Sequence, residues 1–387
     1  MTKIQGETFT LVKETQKIVK MTNSEINNKY KRGEIRIVTE QARYPIKSIP
    51  GMLESGDYNL NPEYQRRKRW SNTRKSRLIE SFIMNVPLPP IFLYEYEYSK
   101  YEVMDGLQRL SSINDFYKGV FELEGLEYWK ELNGMKYLEL PEEVQRGIDR
   151  RYISSIVLLE ETAKSLEEAA QLKQIVFERL NSGGEKLNQQ ETRNALYNGR
   201  FNELCLKLSA NEKFREMWNI PLDHEGDETL SASETYRRMD DVELVLRFFS
   251  YRFIDEMSGT IENFLDQYLK QANDFSDETI LKLEKLFNET IDIVYGLFGK
   301  EAFISPKYER EVKKPQKTIY DPLMQSIAKI VNYKIKIIEH KDDINDKRYE
   351  GKVRPDGSKL FDGRDSVTNT VVERIKYFDD FFKEYLE

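Results

Sequence analysis

The chain of 387 residues has one cysteine, Cys205, and two histidines, His224 and His340. A single thiol excludes an internal disulfide and any multi-cysteine zinc site. Two imidazoles far apart in sequence leave no pair for a His-Asn-His nuclease, and nothing near His224, in Asp223-His224-Glu225-Gly226-Asp227, supplies a second one. Cys205 lies between Leu204 and Leu206 and reads as core rather than as a nucleophile. There is no Gly-x-Ser-x-Gly elbow. Neither Asn181-Ser182-Gly183-Gly184-Glu185-Lys186 nor Gly296-Leu297-Phe298-Gly299-Lys300 has Walker A spacing. No apolar run approaches a membrane span, and the first residues lack the apolar core of a secretory leader, so a reducing cytoplasm is the expected compartment. A net charge of −7 excludes coating nucleic acid or anionic lipid with the whole surface. Any phosphate-binding site must be a local patch.

What is present is a polar globular chain, 39% hydrophobic and 33% charged, long enough for two domains. Residues 1–34 are polar and read as an extension with a short helix over 22–31. Ile35, Ile37 and Val38 open a strand towards Ile46, and residues 47–57 read as a short helix. Leu78, Ile79, Phe82, Ile83 and Val86 give a helix with one buried face, stopped by Pro87, Pro89 and Pro90. Ile91–Tyr94 and Tyr101–Met104 read as strands. Short strand-like pieces follow through 120–160, of which Ile153–Leu159 is the clearest. Leu166–Leu180 reads as a helix, and Asn188 with Glu191 as a capping box opening the next one. Beyond about 200 the strand pattern fades into amphipathic stretches at 234–254, 261–271, 277–298, 322–338 and 366–386. Residues 341–365, rich in charge and glycine, read as a long loop. The expected fold class is α+β, with a sheet-containing domain over 35–205 and a mainly helical domain over 206–387.

Two elements carry candidate chemistry. Tyr101-Glu-Val-Met-Asp-Gly-Leu-Gln-Arg109 reads as a strand, a glycine turn and a helix. Such a turn aims free N–H groups and the positive helix end at one point, beside the Arg109 guanidinium. Gly106 permits a positive φ or close approach to a ligand, and Asp105 can hold a divalent cation or orient water. The bland alternative is an ordinary strand-to-helix turn whose Asp caps the helix. The second element, residues 61–77, sets Arg66, Arg67, Lys68, Arg69, Arg74, Lys75 and Arg77 against Glu63 alone. Tyr64 and Trp70 are interleaved with these charges, which suits base stacking. Its bland alternative is a solvated helix start. Asn181, Ser182 and Arg193 are further candidates to line a pocket, with a helix C-cap as the plainer reading of the first two.

Together, Tyr64-Gln65-Arg66, Leu78-Ile79-Glu80-Ser81, Asp105–Arg109 and Arg179–Gly184 resemble, in order, the boxes of the N-terminal domain of GmrSD-type modification-dependent restriction systems, within the ParB/sulfiredoxin-like superfamily. The resemblance covers roughly residues 35–205. It implies nucleotide binding and hydrolysis linked to sensing foreign or modified DNA, with the Asp-Gly-x-Gln-Arg box as the nucleotide-handling element. The first glutamine usual in that box is Leu107 here. Larger relatives carry a His-Asn-His nuclease half that the histidine count does not support, so a stand-alone sensor form is expected.

The resulting expectation is an NTP-binding and NTP-hydrolysing component of a bacterial anti-phage module. Tyr64, Gln65, Arg66, Gly106, Asn181, Ser182 and Arg193 would bind the nucleotide. Asp105, Gln108 and Arg109 would be catalytic, with Mg2+ as the divalent cation at Asp105. Lys68, Arg69, Trp70, Arg74 and Lys75 would meet DNA. A nuclease or methyltransferase is the expected partner, and amphipathic helices with exposed aromatics suggest a homo-oligomer. Two rivals are a non-catalytic DNA-binding module that recruits a nuclease and a metal-dependent nuclease. No carboxylate cluster forms a clear two-metal site for the latter.

Overall fold

The computed structural model describes residues 4–12, 21–32, 37–60, 70–159, 166–180, 188–222, 227–304, 314–348, 360–361 and 368–386. They fall into two compact units, one of residues 17–187 and one of 1–16 with 188–387. The fold is α+β, as the sequence pattern indicates. The break comes at Asn188 rather than near 205. The capping box at Asn188 opens a helix, Gln189–Leu196, and the following helix Arg200–Ser209 buries Phe201, Leu204, Cys205 and Leu208 among helical partners.

The first unit holds helix α1 (Asn23–Arg32), strand β1 (Thr39–Pro45), α2 (Ile49–Glu54), β2 (Tyr58–Asn59), α3 (Asn72–Met84), β3 (Ile91–Glu97), β4 (Lys100–Asp105), α4 (Leu107–Tyr117), α5 (Glu142–Asp149), β5 (Tyr152–Leu158) and α6 (Leu166–Leu180). The sheet order is β1-β5-β3-β4-β2. β1 runs antiparallel to β5 and β4 antiparallel to β3, while β3/β5 and β2/β4 are parallel. One sheet face, with Ile91, Leu93, Val103, Ile153 and Val157, packs with α2, α3, α4 and α5 into one core. Side chains alternate across a strand, so Tyr94 and Glu102 lie on the opposite face. There Lys173 of α6 pairs with Glu102 at 2.6 Å and sits over the Tyr94 ring.

α3 starts where Ser71 accepts the Arg74 N–H and stops at Asn85, in the left-handed region at φ 59, just before Pro87. Residues 118–150 contain no strand. They form turns, two 3-10 segments and α5, because α3 side chains satisfy their backbone. Ser76 Oγ accepts the Glu124 N–H at 2.9 Å. Glu80 accepts N–H bonds from Glu127 (3.3 Å), Tyr128 (2.7 Å) and Trp129 (2.9 Å).

Glu80 is buried, which alone would raise its carboxyl pKa. The three N–H donors and Arg77 outweigh that and hold it below the usual value. The depressed value means Glu80 stabilises the fold fully above its unfolded pKa of about 4.3 and loses that contribution as pH falls below it. Glu80→Gln keeps one acceptor oxygen and turns a donor on a donor. It is expected to cost about 1–3 kcal/mol at pH 7. Urea unfolding at pH 7 and at pH 3 should show the difference from the natural chain shrinking in acid.

The second unit is helical: α7 (Gln189–Leu196), α8 (Arg200–Ser209), α9 (Glu212–Met217), α10 (Asp227–Ala232), α11 (Glu234–Arg237), α12 (Asp240–Ser250), α13 (Ile261–Ala272), α14 (Asp277–Phe298), α15 (Lys317–Lys329), α16 (Lys334–Glu339), α17 (Lys341–Lys347) and α18 (Thr368–Lys383). α12 is its axis, with Val242 and Leu244–Phe249 all buried. The stretch 234–254 breaks at Met239, which sits at φ 56. The stretch 322–338 breaks after Lys329, with a 3-10 turn before α16. The expected loop 341–365 opens instead as α17, anchored by buried Ile344. The N-terminal segment is also no mere polar extension, since Glu7 and Phe9 are buried in this helical unit.

Candidate functional site

β4 ends at Asp105, the chain turns at Gly106 (φ 97, ψ 7), and α4 begins at Leu107. A Cβ at Gly106 would lie 2.4 Å from Ile91 Cγ2 and 2.9 Å from Ile91 Cβ, so the turn needs glycine for both its φ and its space. The N-cap residue, Gly106, has no side chain with which to cap the first turn of α4. Its first amide groups have no intrahelical acceptor, and the positive end of the helix dipole lies with them.

Arg109 reaches back from the first turn. Its guanidinium donates to the Pro89 carbonyl, to the Pro90 carbonyl at 3.2 Å and to Asp105 Oδ2 at 2.8 Å. The Arg109 side chain is 11% exposed and that of Asp105 53%. Burial draws the guanidinium below its usual pKa while Asp105 opposes the shift. An arginine stays charged under either influence. These bonds fix the turn to the proline segment entering β3, a role the sequence motif did not reveal. These bonds use three of the five N–H donors that an arginine carries.

Gln108 Oε1 accepts the Trp70 N–H at 3.2 Å. Arg74 lies over the Trp70 ring at 4.5 Å from its centroid. β2 runs parallel to β4 in the register Asn59↔Glu102, so it heads towards the Asp105 end. Leu60 and Trp70, the described flanks of residues 61–69, therefore both belong to the Gly106 side of the sheet. Tyr64, Gln65, Arg66, Lys68 and Arg69 themselves lie outside the described residues, as do Asn181, Ser182 and His224.

Three expected ligand residues have other duties. Lys75 is ion-paired with Asp115 at 2.8 Å, only 13% exposed and over the Phe121 ring, so it ties α3 to α4. One face of Trp70 is already covered by Arg74. Arg193 is buried in the helical unit, where it pairs with Asp266 at 2.5 Å and Glu243 at 3.1 Å and also donates to the Glu262 carbonyl. Its charge is matched within its own unit. Leu107, in the place of a glutamine, packs into the core. Among the described residues, no three His, Cys, Asp or Glu side chains converge as metal ligands. No helix among them is long and apolar enough to cross a membrane.

Sequence reasoning missed the buried pair Ser76 and Glu80. Their i, i+4 spacing on the apolar face of α3 was the available sign.

Residues 49–198 match the family model of the GmrSD restriction endonuclease N-terminal domain. No curated protein and no solved structure matches the chain.

Proposed function

We infer that this chain, whose residues 49–198 make up a GmrSD N-terminal domain, is a restriction-system component, and that it binds and hydrolyses a nucleoside triphosphate at the Gly106 turn. The observation that carries this reading is the Trp70 N–H on Gln108 Oε1. It ties Trp70, the described flank of the basic segment 61–69, to the first turn of α4, and so supports a reading in which two candidate phosphate-binding elements, separate in sequence, act together.

In this reading the α4 amides and the remaining Arg109 donors take phosphate oxygens, with Arg66 brought in from the basic segment. Gln108, its Oε1 committed to Trp70, offers Nε2 to a phosphate oxygen. Asp105, half exposed beside Arg109, is the group able to meet a divalent cation or an attacking water. The residues fit Mg2+ only as a partner that takes most of its ligands from phosphates and water, since one carboxylate stands at the turn. When bound, such an ion would neutralise phosphate charge. The protein's own share is orientation and hydrogen bonding. Tyr64 stacks on the base, and Lys68 and Arg69 meet DNA phosphates.

Phosphate release by the full-length chain, with each nucleoside triphosphate and Mg2+, with and without DNA, tests this. Arg109→Lys and Asp105→Asn are each expected to lower turnover about 100-fold or more, while Arg77→Ala on the exposed side of α3 leaves it unchanged. Circular dichroism checks that each variant keeps the fold.

The engagement of Arg109 by Pro89, Pro90 and Asp105 favours one rival, a DNA-binding module without turnover. Absence of phosphate release under every condition, with salt-dependent DNA binding retained, would establish that rival instead.

A further inference from the structure

Residues 4–12 lie against the helical unit: residues 4–7 make a turn closed by the Glu7 N–H on the Ile4 carbonyl, and the residues after it are held by side chains of the helices. Four bonds from two glutamines go to the segment's backbone. Gln271 accepts the Thr10 N–H at 3.1 Å and donates to the Thr10 carbonyl at 3.0 Å. Gln267 does the same for Val12, at 2.8 and 3.0 Å. The two glutamines are one turn apart on α13, about 6 Å along the axis, and the two residues they grip are about 6.6 Å apart in an extended chain. The helix face is thus spaced to match a strand without reading its side chains.

Two pockets then add selectivity. Glu7 enters the first, where Arg252 Nε and Nη2 donate to its carboxylate at 2.9–3.1 Å and the Tyr268 hydroxyl donates at 3.2 Å. The Glu7 side chain is fully buried there. Phe9 enters the second, meeting Phe253, Phe264 and Tyr268 at ring-centroid distances of 5.5–5.6 Å. Gly6 has φ +90, and a Cβ on it would lie 2.3 Å from Thr279 Oγ1, so the position before the acid accepts only glycine. The pattern read is Gly-Glu-x-Phe followed by extended backbone.

We propose that this face of the helical unit is a peptide-binding groove, filled here by the chain's own residues 4–12, and that the same segment of a second copy of the chain can fill it in exchange. The second copy is the occupant the observations favour, because its segment carries the buried acid that the Arg252 charge requires and the aromatic ring that the second pocket fits. The segment's hold on the helices is non-covalent throughout. Exchange between copies therefore replaces one set of contacts by the identical set and needs no new complementarity.

The test titrates a fluorescein-labelled peptide of residues 4–12 into the full-length chain carrying Phe9→Ala, which weakens the chain's own segment and leaves the groove intact. Fluorescence anisotropy should show saturable binding. A peptide with Glu7→Gln and Phe9→Ala should bind at least about tenfold more weakly. So should the labelled peptide to the unmodified chain, whose own segment competes at high effective concentration. In parallel, sedimentation velocity of the unmodified chain, refolded at rising concentration, should reveal a species of twice the mass that Phe9→Ala does not form. No saturable binding to a Phe9→Ala chain with native circular dichroism would overturn the groove. Peptide binding with a monomer at every concentration would overturn exchange between copies. Should Phe9→Ala fail to fold, Phe9→Leu takes its place, retaining apolar volume while losing the ring contacts.

Discussion

Asp321→Ala is expected to lower the stability of the helical unit by about 3–5 kcal/mol, because it strands a charged guanidinium inside the protein. Arg247 and Asp321 have side chains 4% and 2% exposed. The Arg247 guanidinium donates through Nε at 3.1 Å and through Nη2 to the two carboxylate oxygens, and it also lies over the Tyr251 ring. Burial alone would draw Arg247 down. The charge of Asp321 more than reverses this and holds it above the usual arginine value. Around the pair, the Tyr320 hydroxyl donates to the Leu244 carbonyl and Gln325 Nε2 to the Phe248 carbonyl, so α12 and α15 are joined by polar bonds along a buried seam. Taking two ions out of water offsets most of what their attraction contributes. The double variant Arg247→Met/Asp321→Leu should therefore lie within about 1 kcal/mol of the natural chain or above it. Urea unfolding of the single and double variants distinguishes the two outcomes. A single variant as stable as the natural chain would mean that water reaches the seam.

Gly106→Ala is the second large effect. A Cβ there meets the branch atoms of Ile91, itself fully buried on β3, and these cannot swing aside as the end of a flexible side chain could. Holding alanine at φ 97 adds about 1–2 kcal/mol, and overpacking against Ile91 adds about 1–3 kcal/mol. The expected loss is about 2–5 kcal/mol by thermal unfolding, and the α4 start and Arg109 should move with the turn, so any phosphate release that the proposed function predicts should be lost with it. Gly51 is the control. It lies in α2 with nothing within 4 Å of its would-be Cβ, so Gly51→Ala should be neutral or slightly stabilising.

The elements around the turn were legible because their periodicity is local. The apolar spacing of α3 and α4, the proline stop after α3 and the Asp105-Gly106 break need only neighbouring residues to be read. The form of residues 118–150 was hidden because their backbone is satisfied from α3, by Ser76 and Glu80 some 48 residues away. The partners of Arg193 were hidden for a similar reason. It lies in the last turn of α7, and its charge is matched by Glu243 and Asp266, 50 and 73 residues on. The link between Trp70 and Gln108 is likewise a tertiary bond over 38 residues.

Placing Glu7 opposite Arg252 also has a consequence for the order in which the protein takes shape on the ribosome. The two residues are 245 positions apart. At about 5–20 residues per second, the acid waits on the order of 10–50 s for its cation to be synthesised. The sheet-bearing stretch 17–187 is complete long before that and can close on itself first. Its folding shortens the loop that must later bring the opening residues to Arg252 and α13, and so reduces the entropy lost in that docking.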